Sequence, residues 1–273
     1  MEKQDHTLYY DENCPLCAAY SQVFVQTGLL TPSGRKSFSN ITENQPHIDL
    51  ARAVNEIPLL NQSTGNVLYG IDALLEIIGK KIPFIKKVGN IQPIKWCLVH
   101  FYKLISYNRK VVVAQLPKNN ASNCTPTFNI TYRMFFILLL CTSTYLFLLP
   151  VQQTIMGLQN TPSNAIQFQT KYLIWMTING AIAFYLGKIK GIEFIGQISM
   201  MSFLSIIYAL PLLILQHWIP LSILSIEMWM GCFAILMLKA YYRRMQFCSN
   251  RFQQAWLVYF IPLVSFFMVA IFL

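Results

Sequence analysis

Charge is scarce in this chain. Only 12% of its 273 residues are Asp, Glu, Lys or Arg, whereas 55% are hydrophobic and the mean hydropathy is +0.43. Soluble domains carry about a quarter charged residues, so an ordinary soluble enzyme is excluded. Disorder is excluded by the opposite argument, because it requires low hydrophobicity and high charge. The sequence also lacks any Lys/Arg-rich run interleaved with aromatics, so the net charge of +10 reads as membrane-surface charge and not as a nucleic-acid footprint. Cysteine is too sparse, at seven, for a disulfide scaffold. Met1 to His6 are charged and lead straight into a strand-like run, which predicts no cleavable signal peptide. Neither end carries a lipidation or retention motif.

What charge there is divides the chain. Residues 1 to 133 hold 14 of the 21 Lys and Arg and 9 of the 11 Asp and Glu; residues 134 to 273 hold 7 and 2. A helix crossing the hydrocarbon core needs about 20 mostly apolar residues. The second part offers five such runs: Met134 to Val151, Tyr172 to Gly187, Phe194 to Leu215, Ile219 to Leu238 and Ala255 to Leu273. Pro211 and Pro262 lie inside runs and should kink them, and Gln216-His217-Trp218 is expected to be a tight turn. With the N-terminal domain cytoplasmic, the inner segments carry Lys118, Arg133, Lys188, Lys190, Lys239, Arg243, Arg244 and Arg251, and the outer loops only Lys171. That asymmetry predicts a multi-pass protein with the N-terminus inside and the C-terminus outside. The expected organisation is a domain over 1–110, a linker over 111–133 rich in Asn, Thr, Ser and Pro, and an all-α transmembrane bundle over 134–273.

One motif carries chemistry. His6 to Asp11 reads as a strand and Ala18 to Leu30 as a helix closed by Gly28, so Cys14-Pro15-Leu16-Cys17 sits at a strand-to-helix junction. The unpaired first-turn amides and the helix dipole favour a thiolate there, which makes Cys14 the expected nucleophile and Cys17 the resolving thiol. Pro15 suits the first turn, where its missing N–H has no partner anyway. A structural pair and half of a zinc site are the alternatives. Zinc would need four ligands, and no second Cys-x-x-Cys or His pair is present, so neither a metal nor a cofactor is expected. Asp11 is a candidate proton acceptor for Cys17, or else it ends the strand and caps the helix; Glu12 is expected to be solvated.

Further elements follow: a short strand at Lys36 to Ser39, a helix within Ile41 to Asn55 interrupted at Pro46, a hairpin of Ile57 to Asn61 and Val67 to Gly70 around Gln62 to Asn66, and a helix at Ile71 to Gly79. This is the thioredoxin-like order in a small α/β domain. In such folds a cis proline faces the cysteine pair; Pro58 is either that residue or an ordinary strand-start proline. Between Pro93 and Arg109, Ile94, Cys97, Leu98, Phe101 and Ile105 recur on one helical face, which either packs on the domain or lies on a membrane surface.

Tyr10-Asp11-Glu12-Asn13-Cys14-Pro15-Leu16-Cys17 resembles the signature of the thiol-disulfide oxidoreductase DCC family, named for Asp-x-x-Cys-x-x-Cys. Val67 to Leu74, a strand followed by Gly-x-x-Ala, is similar to the family's second block, and Leu104 to Arg109 to its closing helix, which ends in Asn-Arg. Glu12 departs from the family's usual Gly. The resemblance covers roughly residues 7 to 110 and implies thiol chemistry on a protein or small-molecule disulfide, without naming the substrate.

Elsewhere, Glu227 is the acid expected deep in the membrane, as a functional group or as a packing residue with Asn179 and Gln197 as partners. Cys141 and Cys232 lack the paired pattern of an electron relay, and Cys124 in the linker is a possible third thiol. The Asn-x-Ser/Thr triplets at Asn40, Asn61, Asn120, Asn123 and Asn129 would matter only in an oxidising lumen. The expectation is therefore a membrane-anchored thiol-disulfide oxidoreductase in contact with the lipid bilayer. Its rival is a non-catalytic membrane protein whose thioredoxin-like domain is an adaptor. A transporter is the weaker third reading, since no inverted repeat is visible.

Overall fold

The structure is a computed structural model that describes residues 6–41, 48–114, 126–158, 167–218, 223–249 and 255–272. It divides into two compact units, Met1–Arg133 and Met134–Leu273.

In the first unit a four-stranded mixed sheet has the order β2-β1-β3-β4, formed by β1 (His6–Tyr10), β2 (Arg35–Ser37), β3 (Pro58–Asn61) and β4 (Val67–Tyr69). β1 runs parallel to β2 with Leu8 opposite Arg35, and antiparallel to β3 with Leu8 opposite Leu59. β3 and β4 form an antiparallel hairpin. Its turn is fixed by Asn61, whose Oδ1 accepts the N–H groups of Ser63 and Thr64, and by Gly65 at φ 74.

Alternation along the strands splits the core in two. Leu8 and Leu59 pack with Leu30, Ile57, Ala73 and Ile77 on one face; Tyr9 and Leu60 pack with Ile48 and Ala53 on the other. The first face is covered by α1 (Pro15–Gln26) and α3 (Gly70–Gly79), the second by the single-turn α2 (Leu50–Ala53). Of the helix expected within 41–55 only α2 is described, and residues 42–47 with Pro46 lie outside the described residues.

α1 ends in a Schellman arrangement: Gly28 adopts φ 66, its N–H donates to Val25 O, and Leu29 N–H donates to Phe24 O at 2.8 Å. Gly70 adopts φ 59 at the junction from β4 to α3 and donates its N–H to Ile57 O. α4 (Pro83–Gly89) and the long α5 (Gln92–Val112) complete the domain, so α5 runs past the expected domain end at residue 110. Cys124 and most of the linker lie outside the described residues.

The second unit is helical among the described residues: α6 (Ile130–Leu158), α7 (Gln167–Leu186), α8 (Lys188–Trp218), α9 (Ile223–Ser249) and α10 (Ala255–Phe272). Two of these helices are long and apolar enough to cross a membrane, over Ile130–Thr154 and Lys188–Leu215, each with mean hydropathy 2.2. α7 begins on Gln167, Gln169 and Lys171 and carries Asn179, which lowers its hydropathy; the apolar runs of α9 and α10 lie partly outside the described residues, α10 showing Val258–Met268 as a shorter apolar stretch.

Gln216 to Trp218 form the last turn of α8 and not a tight turn, because the apolar helix has no breaker there; residues 219–222 lie outside the described residues. Helices continue through Pro150, Pro211 and Pro262. The Pro262 carbonyl accepts from Trp175 Nε1 at 3.2 Å and Ser265 Oγ at 3.0 Å. α7 and α8 are separated by one residue, Gly187 at φ 85.

Candidate active site

The carboxyl end of β1 delivers the motif. Asp11 Oδ1 accepts Asn13 N–H at 3.0 Å and Asp11 O accepts Cys14 N–H at 3.1 Å, which turns the chain into α1. Cys14 itself is the N-cap: its backbone is extended (φ −104, ψ 107) and its Sγ accepts the Cys17 N–H at 3.5 Å. Pro15 occupies the first turn. Asp11 therefore caps the turn and not the helix, a correction that follows from Cys14 standing at the capping position. Both cysteines are free and nearly buried, Cys14 at 7% exposure and Cys17 at 6%.

The two thiols are driven apart in acidity. A hydrogen bond from the Cys17 thiol lowers the Cys14 pKa to about 6; the Cys17 amide and the positive charge of Arg109 add to this against the cost of burial. The same hydrogen bond, together with burial, pushes Cys17 upward and holds it as a thiol. The stabilisation thus comes from one neighbouring thiol and one amide, a more local cause than the helix dipole that the sequence suggests.

Behind the pair lies a cavity of about 60 Å³, lined among others by Tyr9, Asp11, Cys17, Tyr20, Tyr102 and Arg109. That is room for about two water molecules. Asp11 and Arg109 form an ion pair there at 3.2 Å, both side chains under 10% exposed. Burial raises the Asp11 pKa and the Arg109 charge opposes it, so its carboxylate is more basic than usual.

Arg109 is the residue that sequence reasoning passed over, having quoted it only within the closing helix. It arrives on a stripe of α5 at helical spacing. Tyr102 Oη accepts Ile57 N–H at 2.9 Å, Ser106 Oγ donates to Asn55 O, and Arg109 Nη2 donates to Val54 O at 3.1 Å as well as to Asp11. Polar groups at i, i+4 and i+7, on the side of α5 away from Cys97 and Phe101, were the available signal.

The remaining expectations meet mixed outcomes. Pro58 opens β3 opposite Tyr69 in a trans peptide, and no cis peptide bond occurs among the described residues; it is the strand-start proline and not a cis proline. It does not line the cavity, where its neighbour Ile57 stands instead. Glu12 is not simply solvated: its Oε2 accepts Phe38 N–H at 3.1 Å and ties the turn before Cys14 to the segment after β2. Glu227 is exposed on α9, and the partners expected for it are engaged elsewhere. Gln197 accepts from Arg244 at 2.6 Å and Asn179 donates to Trp175 O at 2.8 Å. The buried acid of the second unit is Glu193. Cys141 contacts Ser199 and Cys232 is exposed. Among the described residues no group of three His, Cys, Asp or Glu is placed to hold a metal ion.

Comparison of the chain with protein-family models, curated proteins and solved structures finds no match.

Proposed function

We propose that the chain is a membrane-anchored thiol-disulfide oxidoreductase of DCC type with a thioredoxin-like domain. The observation that carries this reading is the Cys14 sulfur at the helix cap, accepting the Cys17 amide at 3.5 Å, an arrangement that draws the Cys14 pKa down to about 6 and holds Cys17 protonated behind it. The sheet order, with β1 parallel to β2 and the β3–β4 hairpin antiparallel to it, supports the thioredoxin-like assignment. So does the sequence resemblance in three blocks.

The Cys14 thiolate attacks one sulfur of a substrate disulfide, forming a mixed disulfide and expelling the first substrate thiolate, which takes a proton from water. Cys17 then loses its proton to the basic carboxylate of Asp11 and attacks Cys14 Sγ. The second substrate thiolate leaves, is protonated, and the Cys14–Cys17 disulfide remains. The substrate gains two electrons, and a dithiol donor returns them to the enzyme. Because Cys14 keeps 7% exposure, the substrate is a small disulfide or one presented on an extended segment.

In this reading the second unit is a bundle of about five membrane spans with the N-terminal domain cytoplasmic, supported by the eight-to-one bias of cationic residues toward the inner segments. A reducing compartment keeps the pair as dithiol and sets the direction as reduction.

The test is thiolate absorbance of the reduced full chain against pH, with insulin reduction as the activity readout. A Cys14 transition near pH 6 and turnover abolished by Cys14→Ser are expected; an ordinary thiol pKa without turnover would sink the proposal. The low exposure of both sulfurs favours one rival, an adaptor domain on a membrane protein, and cellular function unchanged by Cys14→Ser with Cys17→Ser would decide for it.

A further inference from the structure

The apolar stripe of α5 behaves differently along its length. Cys97, Phe101, Leu104, Asn108 and Val111 follow one another at i+4 and i+3 spacing and so share a face. The second half of the stripe is covered: Leu104, Asn108 and Val111 are buried, Asn108 Nδ2 donates to Tyr132 O at 3.1 Å, and Tyr107 stacks on Tyr132 with ring centroids 5.1 Å apart. The first half is bare. Phe101 is 62% exposed and Trp96 63%, with Ile91, Ile94 and Cys97 exposed nearby. On α4 and just before it, Phe84 is 72% exposed, and Ile82 and Ile85 are exposed as well. The domain thus packs against the polar stripe of α5 and leaves the first half of the apolar one outside, the reverse of what burial of apolar surface alone would select there.

Charge distinguishes what covers this face. From Lys80 to Lys110 the chain has eight Lys or Arg and no Asp or Glu, and no acid appears again before Glu193. Lys86, Lys95, Lys103 and Arg109 are matched by Glu76, Asp72, Glu56 and Asp11 of the domain. Lys80, Lys81 and Lys87 are exposed and make no ion pair among the described residues; Lys80 Nζ lies 2.9 Å from His6 Nδ1 and Lys81 Nζ donates to Thr27 O, neither of which neutralises the charge. Exposed Trp, Phe and Ile flanked by uncompensated Lys are the composition of an interfacial helix on anionic lipid. The covered half of the stripe rests on Tyr132, which belongs to the same unit.

We propose that α4 and the first half of α5 form a docking face for an anionic bilayer surface. Trp96, Phe101 and Phe84 enter the headgroup region, and Lys80, Lys81 and Lys87 meet lipid phosphates. The proposal rests on the membrane reading of α6 and α8 but not on the thiol chemistry.

Cys97 is a native reporter on this face. The full chain is placed in nanodiscs, which leave both bilayer surfaces open, of phosphatidylcholine alone or mixed with phosphatidylglycerol. A charged, impermeant thiol reagent is added and the Cys97 adduct is followed by mass spectrometry. Docking predicts Cys97 labelling slowed by about tenfold in the anionic discs only. Lys80→Gln, Lys81→Gln and Lys87→Gln combined, or high salt, should reverse it. Equal labelling in both discs overturns the docking face alone. Equal protection in both also overturns it, since anionic lipid is then not the occupant; if that protection grows with chain density, the occupant is a second copy. A chain that fails to enter discs overturns the proposal together with the membrane reading.

Discussion

The two units satisfy their polar groups by different rules. In the first, partners lie across elements: Asp11 with Arg109, Glu76 with Lys86, and Tyr102 with the Ile57 amide. In the second, many polar side chains return to a carbonyl one turn back on their own helix, as Thr144 does to Leu140, Asn179 to Trp175 and Ser202 to Ile198. Arg244 with Gln197, Trp175 with Pro262 O, and Gln169 with Tyr145 O are among the bonds that cross between helices. A network across elements tunes chemistry, because moving one group changes the field at another. Polar groups closed within one helix leave helix packing to shape and volume. Changes of charge should therefore perturb the first unit, and changes of volume the second.

The largest effect is expected at Arg109. Arg109→Met strands the buried Asp11 carboxylate and should cost about 3 to 5 kcal/mol in stability while raising the Cys14 pKa. Asp11→Asn added to it should recover most of the loss, and thermal unfolding with thiolate titration reads both. Recovery failing would mean that the pair is not the coupling element.

The same site sets a pH dependence. Cys14 titrates at about 6 in the folded chain and at 9.0 as an ordinary thiol, so the unfolded chain holds the extra proton between those values. Stability of the reduced chain then rises from pH 6 to 9 and is lost as pH falls through 6. Cys17, held protonated, opposes this only above that window. Cys14→Ser should flatten the rise.

In the second unit a Cβ on Gly191 would lie 1.9 Å from Ala183 O across the α7–α8 junction. Gly191→Ala should cost about 3 kcal/mol by overpacking, with Cys14 titration unchanged. Gly70→Ala in the first unit is smaller, about 1 to 2 kcal/mol, for a left-handed residue whose Cβ would meet Tyr102 at 3.1 Å. Smallest is Arg52→Gln, which breaks an exposed i, i+4 pair with Glu56 and should change the unfolding midpoint by under about 0.5 kcal/mol. A large effect there would blur the distinction between buried and surface pairing.

Much of the site was legible in sequence. Cys14-Pro15-Leu16-Cys17 after a β-branched aromatic run announces a strand-to-helix junction, because Pro at the first turn and Gly28 at the end bound the helix chemically. The two apolar helices were equally legible, since hydropathy is a sum over neighbours in the chain. Asp11 was found, but its turn-capping role was not. Of the five runs expected to span, the described residues show two helices long and apolar enough; Asn179 and the polar start of α7 lower the hydropathy of that helix, and the runs in α9 and α10 lie partly outside the described residues.

The amino-acid order alone determined the location of the reactive pair, the division of charge near Arg133 and the apolar character of the second unit, because each depends on residues close in sequence. Only the tertiary structure brought Arg109 to Asp11, separated by 98 positions, and turned the first half of the apolar stripe of α5 outward. Both depend on which side of a helix packs. Local periodicity shows that a helix has two faces; contacts with the 54–57 segment decide which one the domain takes.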